Sequence, residues 1–241
     1  MDPRALLLGV AMQLTGVDYL RRAAAPEEET VFDGVVATIE LNGDRAPRFV
    51  LRSEYTLLLR AELLTHGMPN ALTAPVSDAS AWPVLETLLG ETLAVREAER
   101  SDVSNLSRLD PAAVGALRAR YRDEIVRRQR LEPSEGEPAI ARLLSSTGLT
   151  QADFDTLLRR RLVARAYLEA RHENLLAVSE VDLRRAVESG RYAERCRDEA
   201  ELRRCVRAEV QWAMLPGALR QYLRSLGGRV RVRIFSEPRG G

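Results

Sequence analysis

Val35-Val36-Ala37-Thr38-Ile39-Glu40-Leu41, followed by Asn42-Gly43-Asp44 and then by Arg48-Phe49-Val50-Leu51-Arg52-Ser53-Glu54, is the stretch from which the architecture can be worked out. Val35, Ala37, Ile39 and Leu41 alternate with Val36, Thr38 and Glu40, which suits a strand with one face more deeply buried than the other. Asn-Gly-Asp is a turn signal that reverses the chain, so the stretch predicts a hairpin. A lone two-stranded hairpin is marginal in water and needs a third strand or a packed helix. The best candidate lies near the chain's other end. From Arg229 to Ile234, Val230, Val232 and Ile234 alternate with Arg229, Arg231 and Arg233. The expected fold class is therefore mainly α with a small β-sheet, in which the N-terminal β-hairpin pairs with a C-terminal strand and closes the helices between them into one body.

Those helices follow from spacing and caps. Ser53 is expected to cap a helix carrying Leu57, Leu58, Ala61 and Leu64, which Gly67 and Pro69 end. Trp82, Leu85, Leu88, Leu89, Thr92 and Val95 mark a second, fading into a polar stretch from Glu99 to Ser107. Asp110-Pro111 restarts the chain as a helix running to about Leu131, because Asp caps free amides and Pro at the first helical position forfeits no hydrogen bond. Residues 132 to 138 read as a linker or loop, and no domain boundary is placed there. Thr150 to Asp153 and Ser179 to Asp182 are capping boxes in the acidic form, and Phe154, Leu157, Leu158, Leu162 and Leu168 share one face of the helix that the first of them opens. A last long helix is expected from about Tyr192, kinked or broken at Pro216-Gly217 and ended by Gly227-Gly228.

The domain plan is a segment over residues 1 to 30, a single helical domain over 31 to 235 and a disordered tail over 236 to 241. Arg4 with Ala5 to Met12 and the alanines at 23 to 25 read as a degenerate signal peptide, whereas Leu7, Val10, Leu14 and Val17 suit a packed helix. Both readings stand.

Composition excludes several functions. All 36 basic residues are arginine, 35 acids nearly cancel them to a net +1, and 45% of the 241 residues are hydrophobic. The near-neutral balance argues against nucleic acid as a partner. The lack of lysine removes Schiff-base and P-loop chemistry. No run is apolar enough to span a membrane. His66 and His172 have no second ligand at metal spacing, and His66 suits a helix C-terminus. Cys196 and Cys205, placed nine apart in one predicted helix, would sit on opposite faces with roughly 13 Å of rise between them, too far to pair. Cys205, on a stripe with Leu202 and Val206, then reads as a buried structural thiol. Glu27 to Glu29 read as a solvated charge run. Arg159-Arg160-Arg161 could meet phosphate or anionic lipid, but with Asp153, Asp155 and Glu169 nearby they read as an ordinary charged helix face. No catalytic, cofactor or metal constellation is recognised, and no cofactor is expected.

Several segments together resemble the N-terminal chaperone module of SurA-like periplasmic proteins: Val35 to Ile39 with Val50 to Glu54, Leu85 to Ala98, Leu149 to Leu168 with Val178 to Leu183, and the closing Leu223 to Ile234. The hairpin turn is longer than that family's usual pattern. The parvulin isomerase domain that often accompanies the module, roughly 90 residues with paired histidines, has no room between Ser189 and Tyr192. The resemblance implies a SurA-N-like chaperone body without isomerase activity: an ATP-independent holdase in the periplasm or cell envelope, whose partners are unfolded or outer-membrane-type polypeptides. A scaffold subunit for a dedicated partner and a divergent prolyl isomerase are the alternatives. Trp82, Trp212 and Met214 are the candidate client-binding residues, since aromatic and methionine side chains adapt to varied apolar segments. They serve equally well as core, and core is the plainer reading.

Overall fold

The computed structural model describes residues 18–19, 34–101, 111–193, 195–196, 198 and 201–235. The apolar stripe Leu7, Val10, Leu14 and Val17, the Asp110 cap and the tail 236–241 lie outside them, and of residues 1 to 30 only Asp18 and Tyr19 are described.

The hairpin forms, but the alternation from Val35 to Leu41 is imperfect: Val36 and Thr38 are buried along with Ala37 and Ile39, Val35 is only partly so, and the register shifts between Val35 and Ala37. Strand β2 (Val35–Leu41) runs antiparallel to β3 (Arg48–Leu51), with Thr38 opposite Phe49 and Ile39 opposite Arg48. Gly43 makes the turn at φ +87°, a conformation that disfavours residues with a Cβ. Asp44 fixes the turn from both sides: its amide donates to the Leu41 carbonyl at 2.9 Å and its carboxylate accepts from the Leu41 amide at 3.2 Å. The closing strand β4 (Val230–Ile234) pairs antiparallel with the free side of β2, Ile39 against Val232 and Leu41 against Val230. Val230 and Val232 are buried while Arg231 and Arg233 face solvent, as the alternation predicts. A two-residue strand β1 (Asp18–Tyr19) adds in parallel beyond β4, so the order is β1-β4-β2-β3 and β3 is an edge.

Seven α-helices among the described residues complete the fold: α1 (Arg52–Thr65), α2 (Asp78–Arg100), α3 (Pro111–Gln129), α4 (Gly136–Thr147), α5 (Gln151–Arg171), α6 (Glu180–Glu188) and α7 (Leu202–Ser225). Helix α1 begins one residue before the expected cap, and Ser53 lies inside its first turn. The Arg52 amide is already used, donating to the Gly34 carbonyl at 2.7 Å, so strand passes into helix with no side-chain cap. Thr150 does cap α5 with a reciprocal box to Asp153, and Ser179 caps α6 by accepting from the Asp182 amide. Pro216 sits within α7, so of the kink or break expected there the break does not occur.

Helix α2 is the axis of the molecule. From Leu85 to Ala94 every residue is buried, which removes any solvent face, and α5 and α7 pack against it. At the crossing with α7, Gly90 lets the backbones meet: a Cβ there would stand 2.3 Å from the Leu219 carbonyl oxygen. The main core runs unbroken from Val36, Ile39 and Val50 of the sheet through Leu57, Leu88, Leu89, Phe154, Leu158 and Leu219.

A second, smaller core holds Leu183, Tyr192, Cys196 and Val206, and here the structure corrects the cysteine reading. Cys196 and Cys205 form a disulfide, with Cα atoms 5.6 Å apart. None of the described residues between Tyr192 and Glu201 is helical, against the helix expected from Tyr192, and α7 starts at Leu202. Gly190, at φ +61°, and the tight turns closed by Ala193 N–H to Gly190 and Cys196 N–H to Tyr192 fold the chain back on itself. Nine residues hold two cysteines about 13 Å apart only along one continuous helix, and the described residues from Cys196 to Glu201 are not helical.

Candidate functional site

Several of the most deeply buried ion pairs among the described residues are gathered around α2. Glu91, fully buried, accepts from Arg160 Nε at 3.2 Å and from Arg161 Nε at 3.1 Å. Arg160 also reaches Glu54 at 3.3 Å, and Arg161 donates to the Tyr121 hydroxyl. Burial works against the charge on Arg160, but Glu91 and Glu54 more than offset it and raise its pKa. Arg160 and Arg161 are thus not part of a solvated helix face. The acids expected beside them are engaged elsewhere: Asp155 with Arg118 at 3.0 Å, Glu169 with Arg165 at 2.7 Å, and Asp153 at the cap. The sequence hint is a glutamate in the mostly apolar run Leu88 to Val95, which calls for a cation beside it.

The same logic places Arg60, only 2% exposed, under the loop after α1, where it donates to the carbonyls of Ala71 at 2.9 Å and Ala74 at 2.7 Å. Desolvation lowers its pKa. It is a strut for that loop.

Two of the cavities among the described residues border the charged groups around α2 and α3. One, of about 270 Å³, lies among α1, α2, α3, α5 and α7 and contains Trp212, Tyr121 and Leu219. Its wall is an ion-pair lattice. Glu209 accepts from Arg120 and Arg195, and Glu124 from Arg127, Arg128 and Arg195. Although burial pushes the Glu124 carboxyl up, its bonds to Arg127 and Arg128 and the charge of Arg195 hold it down at about 2. Trp212 is covered by Arg165, 4.4 Å from its ring centre, and Arg120, at 5.7 Å.

The other cavity, about 560 Å³, lies between the sheet edge and α2. Phe49, Leu51, Val35 and Val95 supply its apolar surface, with Phe49 54% exposed. Arg48, paired to Glu99 at 2.9 Å, stands at one end, and Arg160 with Glu54 at the other.

The residues expected to bind clients do not share one groove. Trp212 lines the first cavity, Trp82 and Met214 line neither, and all three are partly buried against the main core. Phe49 was passed over in the sequence because a single aromatic in a four-residue strand carries no periodic signal.

His66 caps the end of α1, its Nδ1 2.8 Å from the Glu62 carbonyl, and His172 packs on Tyr167 and Tyr222. Among the described residues no three His, Cys, Asp or Glu side chains are placed to hold a metal ion, and no helix is long and apolar enough to cross a membrane.

The chain matches no family model, no curated protein and no solved structure.

Proposed function

We propose that this chain is a nucleotide-independent holdase of the SurA-like kind that keeps unfolded or partly folded polypeptides from aggregating in the cell envelope. The observation that carries the reading is the open edge of the sheet. Strand β3 is paired only on its β2 side among the described residues, and it borders a cavity large enough for several side chains and walled by Phe49, Leu51 and Val95. An edge strand beside an apolar groove is a site at which extended chains add by main-chain hydrogen bonds. The Cys196–Cys205 disulfide supports an oxidising compartment, in keeping with the envelope. On this reading the chain has no catalytic step and needs no cofactor. A divergent prolyl isomerase has only the resemblance behind it.

The second reading, a scaffold subunit with a dedicated partner, is favoured by a different observation. Among the described residues the large exposed hydrophobics Phe49, Met68 and Val181 lie on β3, after α1 and on α6, scattered rather than joined in a broad apolar face. Size-exclusion chromatography separates the two. A holdase co-elutes with a urea-unfolded outer-membrane-type polypeptide after dilution and leaves a folded control behind. A scaffold elutes as a fixed species that ignores both.

A further inference from the structure

We propose that the cavity between β3 and α2 receives the C-terminal end of an extended polypeptide, with an apolar side chain against Phe49, Leu51 and Val95 and the terminal carboxylate at Arg160. The inference rests on the holdase reading and names the part of the client that the groove takes.

The groove has direction and length. Helix α2 passes it from Thr92 to Glu99 while β3 runs the opposite way, so Glu99 meets Arg48 at one end and Arg160 meets Glu54 at the other. Thr92 to Glu99 is about 10 Å of helix, the length of roughly three extended residues. A strand laid parallel to β3 must stop where β3 turns directly into α1 at Arg52. Arg160 stands at that end.

Arg160 is also under-satisfied. Its Nε is bound to Glu91, its Nη1 contacts to Glu54 are long at 3.3 and 3.5 Å, and its Nη2 is buried with no hydrogen-bond partner among the described residues. A guanidinium offers five donors in a planar fork that matches a carboxylate, so an entering carboxylate would take up what Glu54 holds weakly. Charge points the same way. The lining carries three guanidinium groups, of Arg48, Arg96 and Arg160, against the carboxylates of Glu54 and Glu99. Behind the wall Glu91 is shared with Arg161, and Asp44 with Arg100, which also pairs with Glu97. One negative group on the occupant balances the lining itself. The exposed ring of Phe49 and the apolar flanks of Leu51 and Val95 ask for an apolar residue beside that charge, which a chain ending in Val or Phe supplies.

The test is fluorescence anisotropy with an N-terminally labelled Ala-Val-Thr-Val-Phe peptide, as free acid, as C-terminal amide, and extended by two glycines with an amidated end and an internal Glu replacing Thr. The free acid is expected to bind at least ~10-fold tighter than the amide, the value of one charge-assisted fork, and tighter than the peptide with an internal carboxylate. Phe49→Ala, at an exposed position, should weaken acid and amide alike. Arg160→Gln should bring the two together, with circular dichroism confirming its fold. If it does not fold, the wild-type comparison and Phe49→Ala decide. Equal binding of acid and amide, or binding of the acid by Phe49→Ala as tight as by the native chain, overturns the proposal. Aggregation suppression is measured separately: peptide binding without suppression removes the holdase reading and leaves this site, whereas suppression with equal acid and amide binding does the reverse.

Discussion

Replacing Gly90 by Ala tests the packing argument with a sign. In a helix interior, Gly→Ala ordinarily stabilises by about 1 kcal/mol, because Ala loses less backbone entropy on folding. At Gly90 the new Cβ would lie 2.3 Å from the Leu219 carbonyl oxygen, 2.8 Å from its carbon and 3.2 Å from its Cβ. The obstruction is backbone and cannot rotate away, so α2 and α7 must separate by about 1 Å, as normal carbon–oxygen contact demands. The move loosens the core where Leu88, Leu89, Leu219 and Leu223 interlock. Overpacking costs ~1–3 kcal/mol, with a rigid neighbour at the upper end. After the propensity gain, Gly90→Ala should lose about 2 kcal/mol, a drop of ~1 M in the urea midpoint if the slope is near 2 kcal/mol/M. Gly115, inside α3, has nothing within 4 Å of where its Cβ would be. Gly115→Ala should therefore gain up to ~1 kcal/mol. Urea unfolding followed by circular dichroism at 222 nm reads both. Equal or higher stability of Gly90→Ala at unchanged slope would refute the close crossing.

Three other outcomes are expected. Glu91→Ala leaves Arg160 and Arg161 buried without their shared carboxylate and should cost ~3–5 kcal/mol by urea unfolding; a loss under ~1 kcal/mol would mean that water already reaches the pair. Glu124, held at about 2 when folded against ~4.3 unfolded, takes up fewer protons in the folded chain than in the unfolded chain as the pH falls between those values. Its contribution is whole above ~pH 4.5 and is lost as pH falls toward 2, about 2 kcal/mol after allowance for its partial exposure. The urea midpoint of Glu124→Gln should fall less steeply between pH 5 and 2.5 than that of the native chain, and parallel slopes would count against the ion-pair lattice. Cutting the disulfide with Cys196→Ser and Cys205→Ser should release the small core, worth ~2–3 kcal/mol for a loop of this size, and speed amide exchange around Leu183 and Tyr192 while leaving α2 protected. Uniform exchange across the chain would contradict a separate second core.

The sheet was readable because β4 alternates strictly and because a hairpin without a third strand is marginal. Those two facts join β2 and β4 across nearly the whole chain. The caps at Thr150 and Ser179 were readable for a local reason, side-chain oxygens beside free amides. What sequence reasoning missed is non-local. Nothing adjacent to Cys196 announces that the chain turns at Gly190 and again before Leu202, so a helical distance rule was applied across a fold-back. The inward turn of Arg160 and Arg161 depends on Glu91, some 70 positions away. Phe49 gains its meaning only when Val95 and Arg160 are set around it, and Trp82, Trp212 and Met214, which stand out by residue type, are not brought together.

The most direct measurement is light scattering from an outer-membrane-type polypeptide diluted out of urea, with the intact chain at near-stoichiometric amounts and no nucleotide. The account predicts that scattering is suppressed, that ATP changes nothing, and that Phe49→Ala suppresses less. Full aggregation of several such polypeptides in the presence of the folded chain would contradict it.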